Sequence, residues 1–248
     1  MQWRISLVNN LKKIFYIFLI TVSVGALTGC DNLESSAISI QKTLTDERIL
    51  NDSDTNLPTE FDGKYQEVVL NDNQPVFTKE DLSLQNGVWQ TFSDLDNLNR
   101  VGIANALIGK ESFPTEKRVP KLTVKPTGWK QKRTGKGRND WLYNRCHLIG
   151  HQLTGENDNM KNLMTGTRQF NTPHMVNYEN QVKDYIKLTG NHVRYRVTPH
   201  FVDDELVARG VQMEAASVET DDFAYNVYIF NVQDGYSIDY KTGKAMKV

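Results

Sequence analysis

Between Tyr143 and Asn171 the chain reads YNRCHLIGHQLTGENDNMKNLMTGTRQFN, which sets Arg145, Cys146, His147 and His151 close together. Three chemistries could use such a group: a zinc site, a cysteine nucleophile or a histidine general base. On a helix, His147 and His151 would share one face and could reach one metal. However, Leu148 stands where a zinc peptidase places its glutamate, Gly150 interrupts the helix, and no third ligand lies nearby. A Cys146–His147 pair fails for another reason. WLYNRCHLI is strand-like, and neighbours on a strand point to opposite faces. Tyr143, Arg145, His147 and Ile149 then share one face, and Cys146 turns the other way into packing. His147 remains as a base, with Arg145 beside it to grip a phosphate.

Further along, Asn171 opens a segment that carries Glu179 and then Lys183. Glu179 and Lys183 are neighbours on a helix face, a spacing that a plain surface ion pair also explains. A strand offering His147 beside a helix offering Asn171 and Glu179 suits one hard cation. Mg²⁺ fits, because it keeps most of its waters and takes only one or two protein oxygens.

The elements that must hold these groups are legible in outline. KYQEVVL alternates as a strand and ends in a turn at NDNQP, and TKEDL reads as a helix start capped by Thr78. RVGIANALIG reads as a core strand. PHMVNYENQVKDYIKL places Met175, Val176, Val182, Tyr185 and Ile186 near helical spacing, with Pro173 suited to the first turn. HVRYRVTPHF, LVARGVQMEAAS and FAYNVYIFNV form an antiparallel meander. No repeat is present, and one α+β domain is expected.

Lys125 to Arg138, KPTGWKQKRTGKGR, holds six bases and no acid around Trp129. Lys125, Lys130, Lys132, Arg133, Lys136 and Arg138 are the candidate phosphate-tracking surface. Trp129 reads equally well as a base-stacking group or as packing. His174, His192 and His200 read as surface residues, and His151 as a loop residue behind the base.

The formal charge of −1 hides an uneven layout. Arg4, Lys12 and Lys13 are the only charges in the first thirty residues, followed by the uncharged 14-residue run IFYIFLITVSVGAL. A bilayer span needs about 20 residues, so this is an export signal rather than a membrane helix. LTGC, Leu27–Cys30, resembles a bacterial lipobox, which implies cleavage after residue 29 and lipidation of Cys30. The protein would then sit outside the cytoplasmic membrane on a lipid anchor. Cys146, the only other cysteine, would have no disulfide partner. Residues 30–60 are acidic and lack an apolar period, so they read as a disordered tether to a folded domain over 61–248.

NRCH at Asn144–His147 resembles the Asp-Arg-Gly-His motif of the DNA/RNA non-specific endonucleases, the ββα-metal or His-Me finger nucleases. The stretch to Asn171, MVNYENQV, YRVTP and GVQMEA are similar to the bacterial DNA-entry-nuclease-like branch, and the likeness runs from about Tyr65 to the C-terminus. The resemblance implies a ββα-metal core within a mainly antiparallel sheet flanked by helices. It implies His147 as the base activating water, Asn171 as the protein ligand to Mg²⁺ (Mn²⁺ as a substitute), and Glu179 as the carboxylate orienting metal-bound water. It further implies phosphate contacts for Arg145, Lys183 and Arg168. Asn144 and Cys146 depart from the motif's Asp and Gly, which removes one charge near the metal.

No pattern for reading base edges is present, and phosphate contacts carry little sequence information. The expectation is a secreted, membrane-anchored, Mg²⁺-dependent endonuclease that cuts DNA, with RNA as a second candidate substrate, without sequence preference. The alternative is a catalytically silent DNA-binding surface lipoprotein. The oligomeric state is left open.

Overall fold

Alternation along the C-terminal half of the chain builds the main layer. In the computed structural model, which describes residues 57–248, six strands form an antiparallel sheet in the order β1-β8-β7-β6-β3-β2. The strands are β1 (Glu67–Val69), β2 (Trp89–Phe92), β3 (Ala104–Ile108), β6 (Val193–His200), β7 (Gly210–Ser217) and β8 (Ala224–Phe230). The meander β6-β7-β8 is in consecutive register, with Val197 opposite Met213 and Met213 opposite Val227. The export signal, most of the tether and Cys30 lie outside the described residues. Residues 57–60, expected in the tether, already touch the domain: Arg209 Nη1 donates to Thr59 O at 3.3 Å.

The sheet's period of two sorts its side chains. Ala104, Ala106, Ile108, Val193, Tyr195, Val197, Val211, Met213, Ala215, Val227 and Ile229 are buried on the face that meets the helix. On the opposite face Arg194 lies 4.9 Å from the ring centroids of Phe77 and Trp89, and Arg196 pairs with Glu214 at 2.7 Å. The segment that supplies Phe77 was expected to start a helix. Thr78 and Asp81 do exchange reciprocal capping bonds (3.0 and 3.2 Å), but only one turn follows. The other carboxylate oxygen of Asp81 pairs with Arg194 at 3.3 Å, and SLQNG then breaks the run.

A second, two-stranded ribbon carries the chemistry. β4 (Tyr143–His147) pairs with β5 (Leu163–Thr167), with Arg145 opposite Thr165 and His147 opposite Leu163. Between them lies a four-residue helix, α1 (His151–Thr154). After β5 the chain makes a π-helical turn (Phe170–Met175) and enters α2 (Val176–Thr189), which ends at Gly190 with φ +81°. Pro173 therefore sits in the turn ahead of α2, not in its first turn. Val182 and Ile186, four apart on α2, are fully buried against the sheet. Burial of each contributes about 1.5–3 kcal/mol and fixes the rotation of α2. Asn231, also fully buried, ties the ribbon to the sheet. It donates to Thr165 O (3.1 Å) and Ala208 O (3.0 Å) and accepts from Thr167 N–H (2.9 Å). A hairpin of β9 (Tyr236–Ile238) and β10 (Ala245–Lys247) closes the chain.

Candidate active site

The parity expected for β4 holds for Tyr143, Arg145, Cys146 and His147, but the strand ends at His147, and Ile149, expected on the cleft face, is buried in the core. Cys146 is fully buried, and burial pushes its thiol well above the ordinary range, so it is inert. A Cβ at Gly166 would lie 2.7 Å from Phe170 Cδ1 and closer still to Cys146 Sγ, so this glycine leaves room for the cysteine. Arg145 and His147 face a cleft of about 960 Å³ with Asn144, Gly150, His151, Gln152, Asn171 and Glu179.

His147 is 7% exposed, and its Nε2–H donates to Asn157 O at 2.6 Å. That bond leaves Nδ1 as the basic atom, approached by Arg118 Nη2 at 3.4 Å. Burial, and secondarily the Arg118 charge, lowers the imidazole pKa to about 4. The ring is therefore neutral at pH 7. Asn162 fixes the chain just beyond it, accepting from Ile149 N–H (2.9 Å) and donating to Ile149 O (3.0 Å).

Glu179, one turn into α2, is 6% exposed. Burial raises its carboxyl pKa to about 7, opposed by a hydrogen bond from Gln152 Nε2 at 3.3 Å. The surface pair with Lys183 does not form. Lys183 Nζ instead donates to Gln152 Oε1 at 3.4 Å, and Gln152 also bonds Asn180 (3.0 Å). Gln152 thus links α1 to α2 beside the buried carboxylate. Asn171 is half-buried in the turn before α2 and donates Nδ2–H to Thr172 Oγ1 at 3.0 Å, which leaves Oδ1 without a protein partner among the described residues.

No group of three or more His, Cys, Asp or Glu able to hold a metal occurs among the described residues. The cleft offers instead amide oxygens, that of Asn171 among them, and the buried carboxylate of Glu179. That composition fits a hard cation that retains waters and does not fit a closed zinc site.

Several expected residues lie elsewhere. Arg168 is exposed and donates from Nε and Nη2 to Asn139 O (3.0 and 2.7 Å), so it holds a loop and does not line the cleft. None of Lys125, Lys130, Lys132, Arg133, Lys136, Arg138 or Lys183 lines the cleft wall. Of the first six, Lys132, Arg133, Lys136 and Arg138 lie on the hairpin joined by the Arg133–Trp141 bridge, where Lys132 Nζ donates to Ala245 O at 2.9 Å. Among the described residues none of these six makes an ion pair. His151 opens α1 and lines the cleft, whereas His174 leaves the surface role expected of it and bonds Glu67 at 2.5 Å.

The cations that do line the cleft are Arg118, Lys121 and Arg145. Arg118 and Lys121 ride on a strap that crosses the site. Asp158 accepts from Thr123 N–H (2.8 Å), Thr123 Oγ1–H (2.5 Å) and Val124 N–H (3.1 Å), and Asn157 Oδ1 accepts from Val119 N–H (3.2 Å). The signal for Arg118 was present in the sequence, because the acid-free basic run begins at Lys117 rather than Lys125.

Comparison with known proteins agrees with this geometry. A family model described as DNA/RNA non-specific endonuclease matches residues 82–219. The crystal structure of NucA from Streptococcus agalactiae with magnesium ion bound is similar, with 25% identity and a TM-score of 0.67 over 82% of this chain and 96% of that one. The same protein with no metal bound gives 25% identity and 0.66 over 82% and 95%. The structure of Sda1 nuclease with bound zinc ion gives 28% identity and 0.57 over 64% and 81%. The matched segment contains His147, Asn171, Glu179 and the strap with Arg118, and it spans more than half of the sequence. The ββα arrangement of β4, β5 and α2 around them and this match lead to one assignment: the chain belongs to the DNA/RNA non-specific endonuclease family, whose members hydrolyse phosphodiester bonds.

Proposed function

We propose that this nuclease uses one Mg²⁺ ion, with Mn²⁺ able to replace it, to cut DNA, and RNA as a second substrate, without reading sequence. We propose also that it acts outside the cytoplasmic membrane, anchored by lipid at Cys30. The observation that carries the catalytic reading is the fixed tautomer of His147, in one cleft with Glu179 and Asn171.

His147 Nδ1 takes a proton from a water poised against phosphorus. The Asn157 carbonyl holds the ring in position and stabilises the imidazolium that forms. A positioned base of this kind contributes about 10²–10⁴ in rate. Arg118 and Arg145 neutralise the nonbridging oxygens as charge builds on them. Arg145 is held for this by its Nε–H bond to Val124 O and by the Trp129 ring at 4.5 Å. Asn171 Oδ1 would hold the ion, with Glu179 beside it orienting water. When bound, the ion supplies Lewis-acid stabilisation of charge on the phosphate and the leaving oxygen. The magnesium bound in NucA supports this choice of ion.

The anchor reading rests on Arg4, Lys12, Lys13, the apolar run after them and LTGC. Phosphate-directed bases without a base-reading element support sequence-tolerant cutting.

The test is incubation of the full-length protein with circular plasmid DNA, in Mg²⁺ or in EDTA, beside His147→Ala. Cutting that needs both the metal and His147 is expected. Tight DNA binding without cutting under any metal would sink the reading and leave a silent DNA-binding lipoprotein.

A further inference from the structure

Trp129 and Trp141 both line the cleft that holds His147, and neither takes part in the catalytic steps assigned to that histidine, Glu179 and Asn171. They reach the cleft from the two arms of one hairpin. Arg133 bridges to Trp141, Leu142 N–H donates to Lys132 O (2.9 Å), and the Gln131 side chain bonds both backbone groups of Tyr143 (3.0 and 2.6 Å).

Each indole carries a guanidinium. Arg145 Cζ lies 4.5 Å from the Trp129 ring centroid, and Arg133 Cζ lies 4.0 Å from that of Trp141. Both guanidinium groups are themselves tied to main chain, Arg145 to Val124 O and Arg133 to Gly137 O (2.6 Å). The rings are therefore held walls of the cleft. Packing accounts for part of Trp129, whose ring is 6.5 Å from that of Tyr143. It does not account for a second indole, 37% exposed, on the same cleft.

We propose that Trp129 and Trp141 are stacking platforms for unpaired bases flanking the bond to be cut, so that the enzyme cleaves single-stranded DNA in preference to duplex. This inference rests on the nuclease reading of the cleft. In a duplex both faces of each base are already covered, and a platform gains contact only with a base that has left the stack. A single strand offers that base without the unstacking cost. Its phosphates meet the cations that line the same cleft as the two rings: Arg118, Lys121 and Arg145. A basic groove that also carries aromatic rings is the pattern that holds single strands.

The experiment compares a labelled oligonucleotide with its duplex, using full-length protein in Mg²⁺, for wild type, Trp129→Ala, Trp141→Ala and the two Trp→Phe variants. Wild type is expected to show kcat/KM about tenfold or more higher on the single strand, the size of roughly one base stack. Each Ala variant should lower that single-strand-to-duplex ratio about tenfold, chiefly through KM, and each Phe variant should restore most of it. In EDTA, tryptophan emission should be quenched by oligothymidine, and less so in each Phe variant. Equal losses on both substrates, or no quenching, would overturn the stacking role. Wild type cutting neither substrate in Mg²⁺ would overturn the nuclease reading itself, a separate failure.

Discussion

The carboxylate of Glu179 occupies the space in which a side chain on residue 150 would begin: a Cβ on Gly150 would lie 2.5 Å from Glu179 Cδ. Gly150 has φ −61°, so backbone strain does not call for glycine there. What calls for it is the close approach of α2's buried acid to the loop after the base-bearing strand. Gly150→Ala should push the Glu179 carboxylate aside. The displaced atoms end a flexible side chain, so the melting temperature should shift little. Activity should fall about 10–100-fold, as misplacements near 1 Å do. Plasmid nicking rates beside thermal melts check this; unchanged nicking would mean that the position of Glu179 is not critical.

Glu179 itself links function to stability. Its folded pKa of about 7 lies above the ordinary 4.5. The folded state then holds this proton more tightly than the unfolded chain does, and ionising the group opposes folding as pH rises from about 4.5 through 7. Above pH 7 the penalty is fully present, at about 3 kcal/mol for a shift of this size. Glu179→Gln should therefore raise the melting temperature at pH 8, by an amount that shrinks toward zero at pH 5, while cutting is lost. An equal gain at both pH values would assign the effect to packing.

The acid limb of activity should be displaced in the opposite direction. His147 acts as a base only when neutral, and burial with the Arg118 charge holds its pKa near 4. The step that needs neutral His147 should hold below pH 6 and fail only as pH drops through about 4, whereas a limb nearer pH 7 would report protonation of Glu179. The same depression means that an unfolded chain protonates His147 first, so stability declines as pH falls from 6.5 toward 4. Arg118→Ala should lower kcat/KM about 10²-fold, in the range for loss of a charge-stabilising donor. It should also move the acid limb upward, because a like charge is removed. A loss of rate with no shift of the limb would place Arg118 on the phosphate alone.

Legibility in the sequence followed the range of each interaction. Alternation is local, and β6, β7, β8 and the inward turn of Cys146 could be read from adjacent residues. The helical spacing of Val182 and Ile186 was equally plain. The basic run that begins at Lys117 marked Arg118 as a cation, but its approach to His147 was not legible, because it depends on Asn157 and Asp158 gripping residues 34–38 positions earlier. Thr78 carried a correct local capping signal, and its bonds with Asp81 form, but SLQNG ends the turn and Asp81 is also held by Arg194 more than a hundred residues away. Arg168 failed for a related reason. It lies three residues before Asn171 in sequence, yet its guanidinium is held by Asn139 O on the outer loop.

That placement makes Arg168 a control for the basic rim. Arg168→Ala removes two hydrogen bonds to Asn139 O and should cost about 1–3 kcal/mol of stability, while kcat at saturating DNA stays within about threefold of wild type. The rim should respond in the reverse manner. Lys130, Lys136 and Arg138 are exposed and make no ion pair among the described residues. Their triple replacement by alanine should leave melting unchanged and weaken DNA binding. The slope of log K against log salt should flatten by about 0.7–0.9 for each phosphate that the rim no longer neutralises. Salt titrations of binding in EDTA measure that slope directly. A triple variant with the wild-type slope would make these bases a solvated edge and leave substrate attraction to Arg118, Lys121 and Arg145 within the cleft.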